Sequence, residues 1–172
     1  MVFIHVIYTF TNLFNDVVIL EVFYYPNNVY VLKFFLKRNK LSSKRYSMQY
    51  SLEEILAKGY KNGSSNFLKT LYTVLIIGIE YLKKDELASF GFMGAARPGE
   101  LEKNRMDDGT VSNTKRYSVY KLFTLRYFDP KKFAFIDSKT SSIFFIRNQK
   151  NAEKLSKGKV MQIIKNEIIP NL

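Results

Sequence analysis

The sequence contains no cysteine and a single histidine, His5, among its 172 residues. Without cysteine there is no disulfide, no thiolate nucleophile and no thiolate zinc site. With one histidine, paired imidazole acid–base catalysis and multi-histidine metal centres are excluded, and a Ser-His-Asp triad would have to rest on His5, which sits inside an apolar run. Long apolar runs are also missing. The most hydrophobic helix-like window, "LYTVLIIGIEYL" at 71–82, carries Glu80 and is flanked by lysines, well short of the roughly 20 residues a membrane span needs. The opening "MVFIHVIYTFTNLFNDVV" lacks a basic stretch and a small-residue cleavage site, and its β-branched and aromatic content predicts a strand rather than a leader. These absences lead us to expect a cytoplasmic protein. There is no internal repeat, low-complexity tract or domain boundary.

What is present is aromatic and basic. Hydrophobic residues make up 47%, with 15 Phe and 12 Tyr, enough for one aromatic-rich core. Lysine and arginine outnumber aspartate and glutamate 27 to 15, a net charge of +12. The excess is +4 over residues 1–50, +3 over 51–128 and +5 over 129–172. No basic tail carries it, so the folded surface is electropositive and its expected partner is a polyanion.

Element signals run the length of the chain. "VFIHVIYTF" and "VVILEVFYY" read as strands, and "PNN" turns the second into "VYVLKFFLKR". "SKRYSMQY" at 43–50 alternates and predicts a further strand. Ser51 and Glu54 form a capping-box pattern for a short helix ending near Gly59. "KNGSS" then reads as a loop, with Ser64 or Ser65 capping a long helix over 66–84. "LASFGFMG" predicts a strand. A polar loop follows at about 95–112, the length of which marks a functional or mobile segment. Asn113 or Thr114 caps a helix running to about Phe128, "KKFAFID" and "SIFFIRN" form a strand pair, and a last helix covers about 152–169. The prediction is one α+β domain over residues 1–172: a mixed, mainly antiparallel sheet packed against the helix at 66–84 and the C-terminal helix.

The tetrad "KRYS" occurs twice, at 44–47 and 115–118, and places cations beside rings. On the second helix Arg116, Tyr120, Phe123 and Tyr127 share a face. Exposed, such a stripe stacks bases and holds phosphates; buried, it is core. Lys44, Arg45, Tyr46, Arg97, Lys115, Arg116, Tyr120 and Tyr127 are accordingly the candidate nucleic-acid contacts. Lys61, Gly63, Ser64, Ser65 and Asn66 open a helix N-terminus, where backbone N–H groups and the helix dipole favour a phosphate-bearing cofactor. Asp107 and Asp108, with Glu100 and Glu102 upstream, are interleaved with Arg97, Lys103 and Arg105, which reads as a solvated mixed-charge loop and not a metal site.

The element order resembles the central and C-terminal parts of the GCN5-related N-acetyltransferase family, over about residues 17–147. In that family a loop of pattern Gln/Arg-x-x-Gly-x-Gly/Ala binds the pyrophosphate of acetyl-CoA at the start of the long helix; Tyr60, Gly63 and Ser65 are the counterparts, with Leu68 at an apolar position. The family also carries an Asn followed seven residues later by a Tyr that protonates the departing thiolate, a spacing shared by Asn113 and Tyr120. Tyr60 stands where the family has Gln or Arg. The resemblance implies acetyl-CoA as cofactor and Tyr120 as catalytic acid. The composition and motifs together favour a nucleic-acid-binding module, for RNA or single strands, over two alternatives: an acetyltransferase-like enzyme, or a subunit that binds a protein partner through exposed aromatics.

Overall fold

The computed structural model describes residues 4–47, 50–96 and 105–171. Three strands open the chain: β1 (Ile4–Thr11), β2 (Val17–Tyr25) and β3 (Val29–Leu36) form an antiparallel meander. Its turns use Asn15, Asn27 and Asn28 in the left-handed region, where asparagine is tolerated better than most residues. Two helices follow, α1 (Leu52–Ala57) and α2 (Tyr60–Lys84), then β4 (Ser89–Met93), α3 (Lys115–Tyr127), and the hairpin β5 (Phe133–Ser138) and β6 (Ile143–Asn148). The chain ends in α4 (Lys157–Ile163), a π-helical turn at Ile164–Ile168 and a short 3-10 turn.

The six strands make one sheet in the order β1-β2-β3-β4-β6-β5. Every pairing is antiparallel except β3 with β4, which run parallel. A parallel pair needs a crossover, and the 37–88 segment with α2 supplies it. The fold is α+β, as the element pattern predicts, with helices on both faces of the sheet.

Alternation along the strands separates two cores. On one face Leu20, Val22, Leu32, Phe90, Phe144 and Ile146 pack against Val74 and Leu75 of α2 and Tyr117 of α3. On the other, Tyr25, Val31, Ile143 and Phe145 meet Leu155, Val160, Ile164 and Ile168 of the C-terminal segment. Phe67 stacks on Tyr120 at 6.2 Å and Tyr72 meets Tyr127 edge-on at 5.9 Å. These contacts lay α3 beside α2, both helices running in the same direction over the first face.

Capping explains most boundaries. Ser51 Oγ accepts from the Glu54 N–H at 3.1 Å while the Glu54 carboxylate accepts from the Ser51 N–H at 2.7 Å, the reciprocal box expected from the sequence. Thr114 caps α3, and its Oγ1 also donates to the Gly94 carbonyl at 2.5 Å. The Thr114 N–H donates to Ser142 Oγ at 2.9 Å, and that hydroxyl donates to the Val111 carbonyl at 2.6 Å. This buried network ties the end of β4, the start of α3 and the β5–β6 turn into one knot.

Three expectations are corrected. The strand over 43–50 is absent from its described part: 43–47 are consecutive turns, closed by Arg45 N–H to the Ser42 carbonyl and Ser47 N–H to the Lys44 carbonyl, with Ser42 Oγ accepting from the Lys44 N–H. The loop at 61–65 is helix, because Gly59 at φ +86° supplies the break and α2 begins directly after it. The last helix starts at Lys157, not 152, since Ser156 caps it and 149–151 form a 3-10 turn.

Candidate ligand site at the divergence of β3 and β4

The parallel pairing of β3 with β4 spans only Val29–Leu32 against Ser89–Phe92. Beyond it β3 continues to Leu36 while the chain after Met93 turns away toward α3. A cleft opens where the strands part, lined by Lys33 and Phe34 of β3, Phe92 and Met93 of β4, Leu71 and Leu75 of α2, and Arg116 and Tyr120 of α3, with Tyr46 from the turn. It lies at the carboxyl ends of two parallel strands, the place where sheets with crossover helices bind ligands. The enclosed part is about 40 Å³, which holds two or three waters or the tip of a larger molecule.

One wall is polar. Glu21 and Lys33 are directly opposed in the β2–β3 register, and both are buried. The Tyr46 hydroxyl donates to the Glu21 carboxylate, and Arg45 Nη2 stands 3.9 Å from it. Lys33 Nζ lies 4.7 Å from the centre of the Phe23 ring and 5.3 Å from that of Tyr46. Burial is the main cause that lowers the Lys33 pKa to about 8; Arg45 adds to the depression and Glu21 opposes it. Burial and the bond to Glu21 push the Tyr46 phenol up to about 12. The Arg45 guanidinium packs 4.7 Å from the Tyr46 ring, and its Nε is buried with no hydrogen-bond partner among the described residues.

The two KRYS tetrads meet here: an Arg116 Nη donates to the Tyr46 carbonyl. Tyr46, Arg116 and Tyr120, scattered in sequence, thus line one cleft, with Arg45 beside Tyr46; Lys44 and Lys115 are not among its lining residues. Their rings are committed, however. Tyr120 is 8% exposed, sandwiched against Phe67 and Phe34, and burial holds its phenol above the ordinary value while Arg116 pulls the other way. Tyr46 packs edge-on against Phe35 at 5.5 Å. Of the predicted stacking rings, Tyr127 alone is well exposed, at 45%. Arg97 lies outside the described residues.

The proposed cofactor residues take other roles. Gly63 faces Ile55 of α1, and a Cβ there would come within 3.0 Å of Ile55 Cγ2, so its smallness serves helix packing. Ser65 Oγ donates to the Lys61 carbonyl. Asn66 is buried and its Oδ1 accepts from the Leu13 N–H at 2.8 Å, holding the β1–β2 turn. Lys61 and Ser64 are exposed on the first turns of α2. Asp108 turns onto Thr110, and no group of three acidic or histidine residues able to hold a metal occurs among the described residues. His5 lies in β1.

Lys33, which lines the cleft, and Glu21, which opposes it, are the buried charges that motif reading misses. Their signal was available: each is the lone charge inside an otherwise apolar strand, and in a hairpin of "PNN" register the two oppose each other. No protein-family model matches the chain, and neither a curated protein nor a solved structure matches it.

Proposed function

We propose that the cleft between β3 and β4 binds an acyl-CoA-type ligand end-on and that the chain is an acyltransferase-like enzyme. The observation that carries this reading is the position of the cleft, at the carboxyl ends of the parallel pair where pairing stops at Leu32 and Phe92, with Tyr120 in its wall. The strand order, with a long helix between the two parallel strands and a helix and antiparallel hairpin after them, supports it further. The narrow enclosed space suits an acyl group and its thioester, with the phosphates outside. With 60–66 helical, phosphate recognition falls to the first turn of α2 and Lys61, where the helix dipole favours negative charge.

Chemically, an acceptor amine attacks the thioester carbonyl, the C–N bond forms as the C–S bond breaks, the leaving thiolate takes the phenolic proton of Tyr120, and the extra proton of the amine passes through solvent to restore the phenol. Positioning in the cleft supplies most of the acceleration. The test is thermal unfolding with acetyl-CoA, CoA and ATP at matched ionic strength. Ligand at ~100 times its Kd stabilises by about 2.7 kcal/mol, roughly 5 to 10 °C for a domain of this size. A shift with acetyl-CoA and CoA but not ATP supports the reading, and no shift with either removes it. Tyr120→Phe retains the shift and loses turnover.

A second reading, binding of single-stranded nucleic acid, is favoured by the Arg116–Tyr46 contact, which sets the arginine of one KRYS tetrad against the other tetrad, beside Arg45. Phosphate contacts there carry the affinity, since Tyr46 and Tyr120 are covered. Affinity then falls by about 0.7 log units per log unit of salt for each phosphate held. Binding that is flat between low and physiological salt excludes it.

A further inference from the structure

Away from the cleft, the outward faces of α2 and α3 carry a surface that nothing in the described fold covers. Leu68, Tyr72, Ile76 and Ile79 recur at spacings of 4, 4 and 3 along α2, with exposures of 49, 45, 47 and 39%. They form one stripe pointing away from the sheet. Beside it on α3, Tyr127 is 45% exposed. The Tyr72–Tyr127 contact joins the helices into a two-helix plateau. Exposed apolar side chains aligned in this way mark an interaction surface.

The charge around the plateau identifies its partner. Of the cations on α2 and α3, Lys83 pairs with Glu80 and Lys121 with Asp137, each at 2.6 Å, and Arg116 turns to the cleft; Lys61, Lys69, Lys84 and Arg126 add positive surface charge, and Glu80 is the single carboxylate on the two helices. The 51–128 window looks nearly balanced because its other acidic residues lie outside these helices. A second copy of this face would set cations against cations. An RNA strand would satisfy the cations but gain little from leucine and isoleucine, which have no ring to stack a base. An anionic bilayer surface satisfies both, accepting aliphatic side chains at the headgroup boundary and attracting the lysines. No helix among the described residues is long and apolar enough to cross a membrane; the plateau would lie on one.

We propose that the α2–α3 plateau docks on anionic lipid surfaces, independently of what the cleft binds. The experiment is co-sedimentation of the full chain with phosphatidylcholine vesicles, with and without about a third phosphatidylserine, at low and high salt. The expected result is binding at least about ten-fold stronger to the anionic vesicles and weakened by salt. Tyr72→Ser with Ile76→Ser should lose about ten-fold, measured well below the variant's melting temperature, which falls with the loss of the Tyr72–Tyr127 contact. Lys69→Glu with Arg126→Glu should lose the preference for anionic vesicles. Absence of binding, equal binding to the neutral vesicles, or an unchanged Tyr72→Ser/Ile76→Ser variant each overturns the proposal. Sedimentation velocity showing an oligomer that this variant dissociates, with vesicles unbound, assigns the face to a second copy instead. Retention of single-stranded RNA by the same face, with vesicles unbound, assigns it to nucleic acid.

Discussion

Arg116, in the first turn of α3, donates a hydrogen bond to the main-chain carbonyl of Tyr46, 70 residues earlier. This contact converts two unrelated pieces of sequence, one a turn and one a helix, into a single wall of the cleft. A guanidinium holding a backbone carbonyl is a charge-assisted bond, stronger than a neutral one. Arg116→Ala should cost about 1.5 to 3 kcal/mol and should raise amide exchange at Ser47, whose N–H closes the turn. Denaturant titration with residue-resolved exchange checks both; loss of stability with an unchanged turn would place the effect elsewhere on α3.

Gly94 is where β4 hands over to α3. A Cβ built there would stand 2.2 Å from the Tyr117 backbone nitrogen, a distance no side chain tolerates. Gly94→Ala must push the helix off the sheet and should cost more than about 3 kcal/mol. Gly158→Ala is the control: it lies in α4, its Cβ would meet only Ser156 Oγ at 3.9 Å, and it should be neutral or stabilise by up to about 1 kcal/mol. Chemical denaturation of the two variants side by side gives the comparison.

Asn66 should behave as a strut rather than a ligand contact. Asn66→Ala leaves the Leu13 N–H without its acceptor, at a cost of about 1 to 3 kcal/mol. Acetyl-CoA binding, measured by the same thermal shift as for the wild type, should be unchanged relative to the variant's own baseline.

Lys33 gives the protein a pH dependence of known sign. Its folded pKa of about 8 lies below the ordinary 10.5, so between those values the unfolded chain holds more protons and stability rises with pH. Below about 8 both states are protonated and the group contributes no slope. Across that window the wild type should gain up to about 3 kcal/mol relative to Lys33→Met. Urea unfolding of both proteins between pH 7 and pH 10.5 tests it; parallel curves would show that Lys33 is not desolvated.

The parts of this fold legible in the sequence are those with a local cause. The Ser51–Glu54 box, the Thr114 cap and the turn at Asn27 and Asn28 each depend on residues within four positions of one another. The apolar runs of β2, β3, β5 and β6 announce themselves in the same way. The 43–47 segment misled because its alternation of rings and cations satisfies a strand pattern, while Ser42 and the pull of Glu21 on Tyr46 close it into turns. The first two turns of α2 misled because Gly63 and two serines read as a loop; Gly63 is there for Ile55. The site was legible only as its cations. Their convergence, and the Glu21–Lys33 pair beneath them, depends on strand register and on a crossover of some fifty residues, which no local pattern encodes.

The parallel junction of β3 and β4 has a consequence for how the molecule assembles. On one side of it stands a meander whose partners are sequence neighbours; on the other, β4 waits for the β5–β6 hairpin. The four register pairs from Val29–Ser89 to Leu32–Phe92 bring together residues 60 positions apart, so closing this seam carries the largest loop entropy in the sheet. Because the cleft begins where the seam ends, any molecule seated between Lys33 and Arg116 touches both sides of the junction, and its binding energy adds to the stability of the closed sheet.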